Sequence, residues 1–160
     1  MDVLVWLSNT APAVWARESD SVWGYPTILF LHTLGLGILV GLTTAIDFRV
    51  LGFARHLPLA LLERFFPIIW IGFWINAVSG TALLVITPTK AVNPVFYVKM
   101  ALIAVGVANM WLLRRQVFRS GDSTAASSAS GGKILATTSL VLWAGAIAAG
   151  RLMAYIGNVR

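Results

Sequence analysis

Four apolar runs, each long enough to cross a lipid bilayer, constrain this chain most strongly. They lie within residues 26–52, 66–86, 94–116 and 133–156. Their continuous apolar portions are about 19–23 residues long, and a hydrocarbon core about 30 Å thick requires about 20 residues of helix. The connections between them are short, which favours helices that run alternately up and down. The sequence therefore predicts an all-α integral membrane protein built as a four-helix antiparallel bundle.

The composition agrees with a membrane location. Hydrophobic residues make up 58% of the chain, charged residues only 11%, and the mean hydropathy is +0.82. Soluble domains carry about 25% charged residues. One bundle uses nearly all of the 160 residues, so we predict a single transmembrane domain over residues 1–160.

Two segments outside the runs have distinct compositions. Residues 1–20 contain the stretch VLVWLSNTAPAVWA, which is too short to span a bilayer and is interrupted by Asn9 and Pro12. With Trp6 and Trp15 it is typical of a segment that lies in the membrane interface. Residues 120–132, SGDSTAASSASGG, are rich in Ser, Gly and Ala, which predicts a flexible cytoplasmic linker.

The net charge of +6 reflects membrane topology rather than nucleic-acid binding, because the basic residues cluster in two loops. Those between runs one and two and between runs three and four are Arg49, Arg55, Arg64, Arg114, Arg115, Arg119 and Lys133. The N-terminal segment and the second loop contribute one each, Arg17 and Lys90. The positive-inside rule then places both termini outside the cytoplasm. In a bacterium this predicts an inner-membrane protein with periplasmic termini.

The continuous apolar portions of three runs, residues 27–46, 95–113 and 134–156, carry one basic residue each: His32, Lys99 and Arg151. In an antiparallel bundle all three lie roughly 6–9 Å below the same membrane face, at 1.5 Å of rise per residue. Ionisable residues at this depth normally face the bundle interior or a polar pocket. We predict such a pocket, with Asn76 from the second run and Tyr155 one turn beyond Arg151.

His32 has three interpretations. It can be a core histidine that bonds to a neighbouring polar group, a metal or haem ligand through its imidazole, or part of a proton relay. Gly35, about one turn along the same helix, favours haem, because a flat macrocycle needs a helix face without bulky side chains. A copper site with the methionines is a further alternative.

Lys99 and Arg151 also have alternatives. Both can extend to the interface as solvated cations, or they can hold a ligand: an anion such as a haem propionate or an acidic substrate, or the carbonyl of a quinone. Asp47 lies at the opposite end of its run, where we expect it to pair with Arg114 or Arg115.

Small residues at helical spacing predict close packing between helices, and they leave a homo-oligomer open. They include Gly37 and Gly41 in the first run and the series Gly72, Asn76 and Gly80 in the second.

Residues 25–53, YPTILFLHTLGLGILVGLTTAIDFRVLGF, resemble the first helix of a superfamily of small four-helix bacterial membrane proteins. That superfamily includes the membrane-type protoporphyrinogen IX oxidase and the CopD-type copper-resistance proteins. Here His32, Gly41 and Arg49 stand where those proteins have a histidine, a glycine-containing stretch and an arginine. Residues 93–101, NPVFYVKMA, are similar to their third-helix entry, with Lys99 in place of its lysine. The resemblance implies haem b at His32 and a functional lysine, and the whole sequence is more similar to members with no assigned activity.

These observations predict a protein with an outward-facing pocket that binds haem b and acts in electron transfer or haem-linked redox chemistry, with quinone or another redox protein as its partner. The alternatives are a copper or small-anion transport or accessory protein, and a membrane subunit of a larger complex. The chain has no cysteine, which excludes disulfides and thiolate metal sites. Whether it is an enzyme stays open at this level.

Overall fold

The computed structural model describes residues 2–54, 56–118 and 130–156, and no β-strand occurs in these ranges. Four helices are long and apolar enough to cross a membrane. They are α3 (Tyr25–Leu51), α5 (Phe65–Ile86), α6 (Pro94–Leu113) and α7 (Ser130–Ile156). The prediction of an all-α, multi-pass four-helix bundle is confirmed.

Shorter elements join the four helices. The N-terminal segment forms α1 (Asp2–Ser8) and α2 (Ala11–Glu18), which pack against α5, and α4 (Leu59–Glu63) precedes α5. A 3₁₀ turn at Pro88–Val92 leads into α6, and a π turn at Arg114–Phe118 follows it.

α7 begins at Ser130, earlier than predicted and within the segment 120–132 that was predicted to be a linker. The physical reason is packing, since Gly132 is buried and Gly131 lies against the Gln116 side chain; residues 120–129 of that segment lie outside the described residues.

Local signals in the sequence fix two of the helix ends. The Asn93 side chain accepts a hydrogen bond from the Val95 backbone N–H at 2.9 Å, with Pro94 at the first helical position of α6. α3 ends at Gly52, whose φ of 106° lies in the left-handed region that favours glycine.

The helices pack side by side in the order α5, α3, α7, α6. α3 packs most extensively against α5, and α6 against α7, while packing between α3 and α7 connects the two pairs. α5 and α6 approach each other little in the described ranges, although only one 3₁₀ turn separates them along the chain. The apolar core, with Ile46, Val50, Phe66, Ile69 and Leu113, fills the half of the bundle where α3 ends.

The α3–α5 contact depends on two glycines. A Cβ atom added to Gly35 would lie 2.6 Å from the Asn76 backbone nitrogen and 2.8 Å from the Gly72 carbonyl oxygen. The sequence also predicts close packing at Gly37 and Gly41, and the described part of the bundle has no such contact there. A Cβ at either position would meet no described atom within 4 Å, because two residues turn a helix by about 200° and so Gly37 points away from α5.

The expected pairing of Asp47 with Arg114 or Arg115 is also wrong. The Arg114 guanidinium lies 4.8 Å from the centroid of the Phe66 ring, and that of Arg115 lies 3.8 Å from the Trp111 ring. Aromatic faces attract guanidinium groups at a small desolvation cost, whereas reaching Asp47 would require burial of the cation. In the described ranges the one ion pair joins Arg17 and Glu18.

Candidate functional site

A cavity of about 150 Å³ lies among the four long helices at the end where α3 and α6 begin and α7 ends. Four of its lining residues are polar: His32, Asn76, Lys99 and Arg151. The rest of the wall is Leu36, Leu39, Phe73, Ile103, Trp143, Ala146, Ile147 and Gly150. The structure therefore brings four of the six predicted site residues to one cavity, one from each long helix.

Asn76 holds His32 in place. The Asn76 side-chain N–H donates to the backbone oxygen of His32 at 2.7 Å, and His32 Nδ1 lies 3.0 Å from the backbone oxygen of Asn76. Because a carbonyl oxygen can only accept, we assign the ring proton to Nδ1. Nε2 of the neutral ring then carries a free lone pair.

The series Gly72, Asn76 and Gly80 is the face of α5 that receives α3. Gly72 accommodates Ile38, and a Cβ at Gly80 would lie 2.9 Å from His32 Cε1. Ser79, one turn from Ile75, adds a hydroxyl 3.3 Å from His32 Nδ1. The repeat of small residues was predicted to pack helices together, and it also forms the surface of α5 against which the His32 imidazole packs.

The two basic side chains, Lys99 and Arg151, line the side of the cavity formed by α6 and α7. Lys99 of α6 is half-buried, and its Nζ would lie 3.7 Å from a Cβ at Gly150, so the ammonium group rests against α7 beside Arg151. Arg151 is exposed at the rim. None of the described residues that line the cavity is a carboxylate. The site therefore combines two basic side chains and an imidazole, with no acidic side chain among the described residues of its wall.

Two predicted site residues do not line the cavity. Gly35 lies in the α3–α5 contact, so its lack of a side chain serves packing, and Tyr155 is 71% exposed. Sequence reasoning missed Trp143, which is buried and forms part of the wall. Trp143 precedes Ile147 by four residues and Arg151 by eight, so all three lie on one face of α7. This spacing was the sequence signal that could have placed Trp143 at the site.

Comparisons with protein families, curated proteins and solved structures find no match for this chain. The resemblance noted from residues 25–53 and 93–101 therefore stays a prediction. In the described ranges no group of three or more His, Cys, Asp or Glu side chains could hold a metal ion.

Proposed function

We propose that this protein binds a small organic anion in the cavity and acts in the transport or delivery of that anion at the membrane. The observation that carries the proposal is the charge of the site: Lys99 and Arg151 face one cavity that no described carboxylate lines. Cations placed within the membrane normally pair with an opposite charge. A bound anion supplies that charge, and the His32 ring adds a polar contact.

The cavity limits the size and shape of the ligand. An engineered cavity of about 150 Å³ in another protein binds benzene, so a ligand with roughly six to nine heavy atoms suits this one. Most of the wall is apolar, and the cations stand at one side. This arrangement favours a monocarboxylate with a short apolar body, its carboxylate toward Lys99 and Arg151.

Benzoate and benzamide form a matched pair of probes, because they share a ring and differ in charge. We expect purified protein in detergent micelles to bind benzoate and not benzamide, as measured by calorimetry and by the shift in thermal unfolding temperature. Equal binding of the two would contradict an anion site.

Haem b is the second candidate, favoured by one observation. A histidine that binds a metal usually donates its other ring N–H to a carbonyl or carboxylate, and Nδ1 of His32 lies 3.0 Å from the carbonyl oxygen of Asn76. The volume does not fit, because ligands of drug size occupy about 300–1,000 Å³ and the cavity measures about 150 Å³. The residues present suit an axial ligand but do not enclose a macrocycle, so we assign no chemistry to haem.

An absorption spectrum separates the two candidates. For an anion-binding protein we expect no Soret band after purification from haem-replete cells. A Soret band that is lost in His32→Ala and kept in His56→Ala would instead favour haem, since His56 follows α3 at the other end of the bundle.

We further propose that the cavity opens to the periplasmic side of a bacterial inner membrane. The seven basic residues of the first and third loops, against one each in the N-terminal segment and the second loop, support this orientation. Trp6, Trp15 and Trp23 are exposed near the start of α3, where an aromatic belt would meet the lipid headgroups.

This orientation predicts that both termini lie outside the cytoplasm. A phosphatase that is active only in the periplasm, fused after Arg160, should be active. A fluorescent protein that matures only in the cytoplasm should stay dark at the same position. The reverse pattern would contradict the orientation.

A further inference from the structure

A buried carboxyl group lies in the half of the bundle away from the cavity. Asp47 is 0% exposed, and neither of its carboxyl oxygens has a hydrogen-bonding partner among the described residues. It follows His32 by fifteen residues on α3, which corresponds to roughly 22 Å along the helix. The cavity and this carboxyl are therefore separate places in the fold.

Ser139 of α7 approaches the Asp47 carboxyl. Its hydroxyl is also fully buried and, within the described ranges, has no hydrogen-bonding partner. Two other buried polar side chains do have hydrogen bonds: Thr43 Oγ1 donates to the Leu39 carbonyl at 2.6 Å, and Asn109 Nδ2 donates to that of Leu135 at 2.9 Å. Asp47 and Ser139 are thus fully buried polar side chains on two helices that pack together, and within the described ranges neither has a hydrogen bond.

Within the part of the chain that the structure describes, no charged group on the surrounding elements pairs with Asp47. Arg114 and Arg115 lie over aromatic rings, and Arg49 donates to the Leu57 carbonyl at 2.7 Å. Lys133 is exposed at the start of α7. The remaining basic groups of the long helices, His32, Lys99 and Arg151, line the cavity at the other end. The sequence of α5 contains no charged residue.

A buried carboxylate without a counter-charge costs several kcal/mol. A bound proton removes the charge and turns the carboxylate into an acid with an O–H group. The Ser139 oxygen can accept a hydrogen bond from that group, so one proton gives both side chains a hydrogen-bonding partner. A divalent metal cation would need about six oxygen ligands, and Asp47 and Ser139 together offer three. The donor set therefore selects a proton over a metal ion.

We propose that Asp47 and Ser139 form a proton-binding site inside the bundle, independent of what the cavity binds. The proton comes from water at the end of α3 near Leu51, four residues beyond Asp47, or about 6 Å along the helix. Binding forms one O–H bond on the carboxylate and involves no oxidation or reduction. The bound acid then donates to Ser139 Oγ.

Infrared difference spectroscopy on the full-length protein in lipid vesicles at pH 7 tests the site. We expect the wild-type protein to show the C=O stretching band of a protonated carboxylic acid, with a shift in D₂O that reports an exchangeable proton. Asp47→Asn should lack this band. Ser139→Ala should keep it at a higher frequency, because the acid loses its acceptor. Glu63→Gln, which removes an exposed carboxyl on α4, should leave it unchanged.

Three results would overturn the proposal: no such band in the wild-type protein at pH 7, a band that persists in Asp47→Asn, or a band whose frequency does not change in Ser139→Ala. If Asp47→Asn fails to accumulate in the membrane, a pH series on the wild-type protein decides the question. The band must then be present at pH 7 and decline as the pH is raised, and its absence at pH 7 rejects the site.

Discussion

Substitution of Gly35 by valine is expected to destabilise the bundle more than any other single change considered. The new Cβ would lie 2.6 Å from the Asn76 nitrogen and 2.8 Å from the Gly72 oxygen. Both are backbone atoms of α5, so no side chain can rotate away and the two helices must separate. Overpacking typically costs about 1–3 kcal/mol, and we expect a loss at the upper end of that range or beyond, measured by unfolding in detergent.

The same helix offers a matched control. Gly37→Val places the same side chain two residues later, where a Cβ would meet no described atom within 4 Å. It should leave the unfolding free energy within about 0.5 kcal/mol of wild type, as surface substitutions usually do. Equal losses for the two variants would mean that valine harms this helix through its propensity, and the proposed α3–α5 contact would not explain the result.

Removal of both cations from the cavity is expected to have the largest effect on ligand binding. Lys99→Met and Arg151→Met keep much of each apolar stem and remove the charge. We expect each to weaken benzoate binding about tenfold, or about 1.4 kcal/mol, and the double variant to weaken it about a hundredfold. The measurement is calorimetric titration of the purified variants with benzoate.

Lys133→Met is the control for a general effect of charge, because Lys133 is an exposed residue of α7 far from the cavity. It should bind benzoate with wild-type affinity. If the double variant also binds as the wild type does, Lys99 and Arg151 merely extend to the membrane surface and do not hold the ligand.

The sequence predicts part of the site because depth in a membrane follows from position along a helix. His32, Lys99 and Arg151 each lie within a few turns of a helix end, so antiparallel helices must place them at one level. Asn76 could be included because polar groups in apolar runs find partners. The bond from Asn76 to the His32 backbone, and the resulting choice of Nδ1 as the protonated nitrogen, required the positions of α3 and α5 relative to each other.

The roles of Gly35 and Tyr155 could not be predicted in the same way. Each depends on the rotation of a helix about its own axis, which decides whether a residue faces a neighbour, the cavity or lipid. Large apolar side chains such as Ile71, Trp74, Val78 and Val105 are exposed on the outside of the bundle. Residues that face lipid and residues that face the core are therefore equally apolar, and the sequence contains no clear stripe to mark the buried side.

The sequence by itself determined the elements: four membrane-spanning helices, the start of the third at Asn93 and Pro94, and the level at which the ionisable residues lie. These follow from apolar length and from local capping, which depend on neighbours along the chain. The tertiary structure decided the side-by-side order of the helices, the contact at Gly35, the burial of Asp47 against Ser139 and the volume of the cavity. Lipid tails are as apolar as the core, so helix association in a membrane depends on the fit of facing surfaces rather than on hydrophobicity, and that fit exists only once the helices are together.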